Sequence, residues 1–229
     1  MPTISPASTV LVTGSRSGIG AAVAQRLADD GWRVIGVDLT TDPAATHLLA
    51  QEVADLSDPG QVAALLARLP HIDALVHAAG FMRTGALGEL DPADGDAMWA
   101  VHVRALVLLA KALSPGMGAG GRILAIGSRA SAGAAGKSQY AACKAAVTAL
   151  IRSWAMELAA QGVTANVIAP AATATPMLTD ADRTVAPVTP PMGRFIEPDE
   201  VAALAAFLLS RDAAAITGQE VLVCGGASL

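Results

Sequence analysis

A serine hydroxyl, a tyrosine phenol and a lysine ammonium fall together in the stretch SRASAGAAGKSQYAACK, as Ser128, Tyr140 and Lys144. Tyr140 and Lys144 are four residues apart, the spacing that stacks two side chains on one face of a helix. A phenol titrates at about pH 10 in water. It therefore exchanges protons near neutrality only where its anion is favoured, and a cation one helical turn away does that. Ser128 can then hydrogen-bond the oxygen of a substrate carbonyl or alcohol, while Lys144 lowers the phenol's pKa and keeps an ammonium beside a bound ribose. The same segment also suits an alanine-rich amphipathic helix with an incidental Tyr and Lys, so the reading depends on the elements that position it.

Those elements follow from the rest of the chain. Residues 9–12 are a short β-branched and aliphatic run that feeds Thr13-Gly-Ser-Arg-Ser-Gly-Ile-Gly20 and then an amphipathic stretch to Asp30. Strand, glycine turn and helix are the expectation. Gly14 allows a sharp turn, Gly18 lets a ligand approach the backbone, and Gly20 lets helix and strand pack closely. With Ser15, Arg16, Ser17 and Ile19 they form a cradle whose helix N-terminus offers N–H groups to a pyrophosphate. The next strand, 33–37, ends at Asp38, where a carboxylate can accept hydrogen bonds from an adenosine ribose. A 2'-phosphate would meet like charge there, so NAD is expected and NADP less so, with Arg16 as the one nearby attraction for a phosphate.

A third strand at 51–54 leads to Asp55-Leu56, with Asp55 a candidate for the adenine amino group, and Asp58-Pro59 opens a helix to residue 69. Strand 72–76 leads to His77-Ala78-Ala79-Gly80, small residues that leave room for a nucleotide, with His77 read as a hydrogen-bonded structural residue. A helix spans 91–113, strand 122–126 delivers Ser128, and the helix bearing Tyr140 runs over 138–160. Strands at 163–168 and 221–223 enclose a helix at Pro198–Leu209. Alternating strands and helices imply an α/β fold: one Rossmann-type, doubly wound parallel sheet of about seven strands with helices on both faces. Ligands of such a sheet sit outside the strands' carboxyl ends, where Gly14, Asp38, Gly80, Ser128 and Pro170 all fall.

A chain of 229 residues fits a single domain over 1–229, and 53% hydrophobic with 15% charged residues implies a large buried interior. A net charge of −5 and the lack of any Lys/Arg run argue against nucleic acid. MPTISPASTV lacks the regions of a signal peptide, and no apolar run near 18 residues is evident, so a cytoplasmic protein without a membrane partner is expected. Cys143 and Cys224 form no metal-binding pattern and no metal is expected.

In order, Thr13-Gly-x-x-x-Gly-Ile-Gly20, Asp38, Asp55-Leu56, Ala78-Ala79-Gly80, Ser128, Tyr140-x-x-x-Lys144, Pro170 and Gly225-Gly226 resemble the classical short-chain dehydrogenase/reductase (SDR) family over nearly the whole chain. The resemblance implies hydride transfer between nicotinamide and a substrate carbon, with Tyr140 as general acid/base, Ser128 orienting the substrate oxygen and Lys144 on the nicotinamide ribose. It further implies that Thr175, with Thr173 nearby, holds the carboxamide, and that the chain forms a homotetramer or homodimer through the helices at 91–113 and 138–160. Three positions depart from the family pattern. His102 stands where an asparagine usually helps hold a proton-relaying water; it can place that water through its backbone, relay protons itself, or mark impaired catalysis. His77 replaces another asparagine, and Ala171 a glycine. Ser128 and Tyr140 are one residue closer than usual, which leaves Ser131 as an alternative to Ser128.

Residues 171–196, rich in Thr, Pro, Asp and Met, read as a loop able to cover the site, with Met177, Leu178, Met192 and Phe195 as its apolar contacts. A small or medium hydroxy or keto substrate is expected. Arg83, Arg129 and Lys137 in loops near the mouth admit an anionic one. A nicotinamide-binding sensor or structural protein with impaired catalysis is the alternative, resting on His102.

Overall fold

The computed structural model describes residues 8–179 and 185–229, so part of the expected covering loop, residues 180–184, lies outside the described residues, as do residues 1–7. Seven strands form one parallel sheet: β1 (Thr9–Thr13), β2 (Arg33–Asp38), β3 (Ala50–Val53), β4 (Ala74–His77), β5 (Arg122–Ile126), β6 (Thr164–Pro170) and β7 (Glu220–Val223). Their order is β3-β2-β1-β4-β5-β6-β7. The chain leaves β3 at one edge and returns beside β1, so the winding reverses between β1 and β4. That reversal opens a crevice above the carboxyl ends of those two strands.

The helices are α1 (Gly18–Asp29), α2 (Pro59–Leu66), α3 (Pro92–Trp99), α4 (Ala105–Leu113), α5 (Ser138–Leu158) and α6 (Pro198–Leu209). All five residues of β1 are buried, as a central parallel strand covered on both faces requires. Its side chains alternate: Val10 and Val12 pack with Val23 and Leu27 of α1 and Val201 of α6. Leu11 turns to the other face with Leu65, Leu106 and Ile151 of α2, α4 and α5. Helix starts follow the local sequence. Asp58 accepts a hydrogen bond from Gly60 N at 2.7 Å and Asp91 from Ala93 N at 2.9 Å, each before a proline at the first helical position.

The helix expected over 91–113 departs from regularity at one place. Between α3 and α4 the backbone makes a π turn, Ala100–Arg104, centred on His102. A π turn inserts one residue into the helical path and re-aims the side chains around it. The run Pro92–Gly116 also corrects the expectation that no segment approaches a membrane span, since by length and composition it qualifies, with a mean hydropathy of 1.4. Its apolar residues Met98, Val103, Leu106 and Leu109 are core residues packed under the sheet, which is why the segment is so apolar.

Candidate active site

A cavity of about 1100 Å³ lies over the carboxyl ends of the strands, at the reversal between β1 and β4. Its near wall is the turn between β1 and α1. Gly14 and Gly18 have φ of 69° and 53°, a region that disfavours side chains. A Cβ on Gly14 would come within 2.8 Å of the Ala79 backbone, and one on Gly20 within 2.0 Å of the Gly14 carbonyl. The glycines therefore let β1, α1 and the loop after β4 meet without side chains between them. Helix α1 begins at Gly18 with an extended Ser17 that makes no side-chain cap and no acidic residue in the first turn. Its first N–H groups, those of Gly18, Ile19 and Gly20, have no partner within the helix and lie on the cavity wall. Asp38, at the end of β2, accepts hydrogen bonds from Arg16 N at 3.0 Å and Leu39 N at 2.8 Å. Backbone donors thus fix its carboxylate at the cavity rim. This uncapped, glycine-lined cradle fits a dinucleotide.

The opposite wall is built by β5 and α5. Strand β5 ends in Gly127-Ser128, and Ser128 Oγ accepts from Ala130 N at 3.1 Å, which leaves its own O–H to donate elsewhere. Tyr140, the chain's one tyrosine, is 8% exposed on the first turn of α5. Lys144, one turn on, is 5% exposed and its Nζ donates to the Ile126 carbonyl at 2.7 Å. The Lys144 nitrogen lies 5.7 Å from the centre of the Tyr140 ring. Burial pulls the Lys144 ammonium down from 10.5 to about 8, which leaves it cationic at neutral pH. Ser128, Tyr140 and Lys144 all line the one cavity.

Two buried histidines lace the π turn to the loop after β4. His77 Nε2 lies 3.1 Å from the Val101 carbonyl and its Nδ1 3.0 Å from Thr13 Oγ1. A carbonyl only accepts, so Nε2 carries the proton and Nδ1 accepts from the threonine, whose oxygen in turn accepts from Ala79 N at 3.2 Å. His102 is 1% exposed; its Nε2 donates to the Phe81 carbonyl at 2.8 Å, and its ring meets that of Tyr140 edge-on at 5.7 Å. Burial first, and the Lys144 charge second, push His77 down to about 3 and His102 well below the usual imidazole range. Both rings are neutral at pH 7. Gly80 makes room for His102, since a Cβ there would lie 2.3 Å from His102 Cε1.

Of the residues singled out in the sequence, Gly14, Ser17, Gly18, Ile19, Gly20, Asp38, Asp55 and Leu56 line the cavity, as do Ala78 to Gly80, Pro170, Thr173 and Thr175. Ser15 and Arg16 do not: Ser15 is buried beneath Gly36, and the Arg16 side chain is turned to solvent. Ser131 is also away from the wall, donating to Glu220 at 3.1 Å, whereas Ser128 is on it. Arg129 and Lys137 line the cavity; Arg83 instead lies over the Phe81 ring at 5.1 Å. Met177 and Leu178 reach the site but Met192, 68% exposed, and Phe195 do not. Val188, Thr189 and Pro191, within the loop expected to cover the site but not singled out in it, also line the cavity, because the parallel bridge between Thr173 and Ile196 folds the returning segment back over the crevice. No local sequence signal marks them. Among the described residues no group of three His, Cys, Asp or Glu side chains is placed to hold a metal ion.

Residues 14–228 match the family model described as enoyl-(acyl carrier protein) reductase. The chain is 35% identical to the (2S)-[(R)-hydroxy(phenyl)methyl]succinyl-CoA dehydrogenase subunit BbsD of Thauera aromatica, covering 96% of each chain. It is 34% identical to the 3-oxoacyl-[acyl-carrier-protein] reductase FabG of Vibrio cholerae, covering 94% of this chain and 95% of that one. Among solved structures it is similar to a short chain dehydrogenase from Burkholderia cenocepacia in complex with NADP, with a TM-score of 0.84, 32% identity and coverage of 97% and 98%. The ligand-free aldohexose dehydrogenase of Thermoplasma acidophilum has a TM-score of 0.87 at 29% identity, over 96% of this chain and 94% of that one.

Proposed function

We propose that this chain, which belongs to the short-chain dehydrogenase/reductase family, moves a hydride between nicotinamide and a small or medium secondary alcohol or ketone with Tyr140 as general acid/base. The observation that carries this reading is that Ser128, Tyr140 and Lys144 converge on one wall of a cavity whose other wall is the glycine cradle under α1. When bound, the nicotinamide supplies or accepts the hydride. The protein's part is to hold the substrate oxygen and move one proton. The Ser128 O–H donates to that oxygen, since the bond its Oγ accepts from Ala130 N leaves the hydroxyl proton free. In the reducing direction the Tyr140 O–H gives its proton to the oxygen as the carbon receives hydride; in the oxidising direction the phenolate takes the proton back. The Lys144 ammonium, held by the Ile126 carbonyl, favours that phenolate and offers its remaining protons to ribose hydroxyls. His102, neutral and edge-on to the phenol ring, fixes the orientation of Tyr140 as a positioning residue.

Gly14, Ser17, Gly18, Ile19 and Gly20 receive the pyrophosphate, Asp38 the adenosine ribose, Asp55 and Leu56 the adenine, and Thr173 and Thr175 the carboxamide end. NAD is the preferred cofactor. Its support is Asp38, a carboxylate at the rim where a 2'-phosphate would sit, with the Arg16 side chain turned away. The similar structure from Burkholderia cenocepacia is in complex with NADP, so the NAD preference of this chain rests on Asp38 alone. Met177 and Leu178, in the described part of the loop at 171–196, cover the substrate. A cytoplasmic homodimer or homotetramer completes the reading, supported by Trp99 and Met156, exposed on the α3 and α5 surfaces. Following reduced nicotinamide by absorbance with NAD and NADP against a panel of alcohols and ketones tests the proposal. Turnover with NAD that vanishes in Tyr140→Phe is the expected result.

A further inference from the structure

The described arginines fall into three groups with one exception. Arg26, Arg68 and Arg194 pair with carboxylates at 2.6 to 2.9 Å, and Arg83 approaches Asp94 at 3.9 Å. Arg104 and Arg122 donate to backbone carbonyls. Arg16, Arg33, Arg152 and Arg211 are exposed to water. Arg129 alone is half-buried, on the wall of the active-site cavity, with a guanidinium that makes no hydrogen bond or ion pair among the described residues. A guanidinium is always charged and carries five donors in a rigid fork that matches a carboxylate. Leaving such a group partly withdrawn from water and unpaired is unfavourable unless something else pairs with it.

The charges around the cavity are segregated. Among the described residues its carboxylates are Asp38, at the end of β2, and Asp55, after β3. Its cationic side chains, Arg129, Lys137 and Lys144, all belong to the segment from the end of β5 into α5. Strands β2 and β5 are separated by β1 and β4, three strand spacings or about 14 Å, which exceeds the screening length of about 8 Å at physiological salt. An anion beside Arg129 is therefore attracted by its guanidinium and scarcely repelled by Asp38 and Asp55, although the chain as a whole carries −5.

From this placement we infer that the substrate carries a carboxylate close to its reacting carbon, and that Arg129 is the residue that binds it. Ser128 and Arg129 are sequence neighbours, with α-carbons about 3.8 Å apart, and both face the cavity. The oxygen that Ser128 holds and the carboxylate that Arg129 holds then belong to one short molecule, an oxo or hydroxy acid. The inference rests on the dehydrogenase reading for its reacting group, but Arg129's selection for an acid is read separately, by binding.

The test uses the full chain with NAD or NADH present and three matched pairs: 3-oxobutanoate, 4-oxopentanoate and 3-hydroxybutanoate, each against its methyl ester. Affinity is measured by titration calorimetry and turnover by nicotinamide absorbance, for the native protein, Arg129→Met and Arg129→Lys. In at least one pair the acid binds about tenfold or more tightly than the ester, as a charge-assisted bond contributes. That ratio falls towards one in Arg129→Met, through the acid and not the ester, and is partly restored in Arg129→Lys. Equal affinity for acid and ester in every pair, absence of acid binding, or a preference that survives Arg129→Met overturns the assignment. Acid binding that depends on Arg129 without turnover of any pair supports the carboxylate site while counting against the dehydrogenase reading. Ester turnover that depends on Tyr140 but not on Arg129, without preference for the acid, does the reverse.

Discussion

Replacing Lys144 with methionine should make the protein more stable and inactive. Burial lowers the Lys144 ammonium from 10.5 to about 8. Below pH 8 the lysine is protonated in both folded and unfolded chains, so the folded state bears the whole desolvation cost, about 3 kcal/mol at 1.36 kcal/mol per pH unit. As pH rises through about 8 the folded lysine loses its proton first, and stability is regained up to 10.5. At pH 9.5 the residual cost is about 1 kcal/mol. Methionine fills a similar volume without charge, but deprives the Ile126 carbonyl of its 2.7 Å donor, which costs about 1 to 2 kcal/mol. The net gain is about 1 to 2 kcal/mol at pH 7, or about 2 to 8 °C in Tm for a chain of this size, and it disappears by pH 9.5. Scanning calorimetry at the two pH values, alongside turnover at pH 7, makes the measurement. A variant less stable than the native protein at pH 7, or a gain that does not change with pH, would refute the picture of Lys144 as a buried ammonium kept for function.

Asp38→Asn removes the charge at the cavity rim while keeping an acceptor for Arg16 N or Leu39 N. The ratio of kcat/KM for NAD over NADP should fall about tenfold or more; an unchanged ratio would show that Asp38 does not set the choice. His102→Asn shortens the side chain, withdraws the edge contact to Tyr140 and empties volume beside Gly80. The expected result is a kcat about tenfold lower with KM for the cofactor unchanged, since one imprecisely held group costs that order of rate. A gain in kcat would instead mean that the native histidine impairs catalysis.

The order of elements, the cap residues and the parallel sheet were legible because each rests on local chemistry: a β-branched run before glycines, an Asp-Pro pair before a helix, and a Tyr and Lys four apart. Ser128 and Ser131 could not be told apart by spacing, since what separates them is a long-range contact of Ser131 with Glu220 on β7. The π turn at Ala100–Arg104 was invisible for a similar reason. No residue in it breaks a helix; His77 at the end of β4 reaches the Val101 carbonyl, and His102 within the turn reaches the Phe81 carbonyl, both distant in sequence. The cavity residues Val188, Thr189 and Pro191 reach the site through a chain reversal joined at Thr173 and Ile196, which no periodicity announces. Arg129 was legible as a cation near the mouth, but its lack of a partner among the described residues is a property of the folded surroundings.

The central claim is that Tyr140 moves the proton that accompanies hydride transfer. The direct measurement is the absorbance of reduced nicotinamide during turnover by the native protein and by Tyr140→Phe, with cofactor affinity measured on both. The account predicts turnover in the native protein, a loss of about a thousandfold in the variant, and nearly equal cofactor binding by the two. Turnover that survives the loss of the phenol oxygen would contradict it.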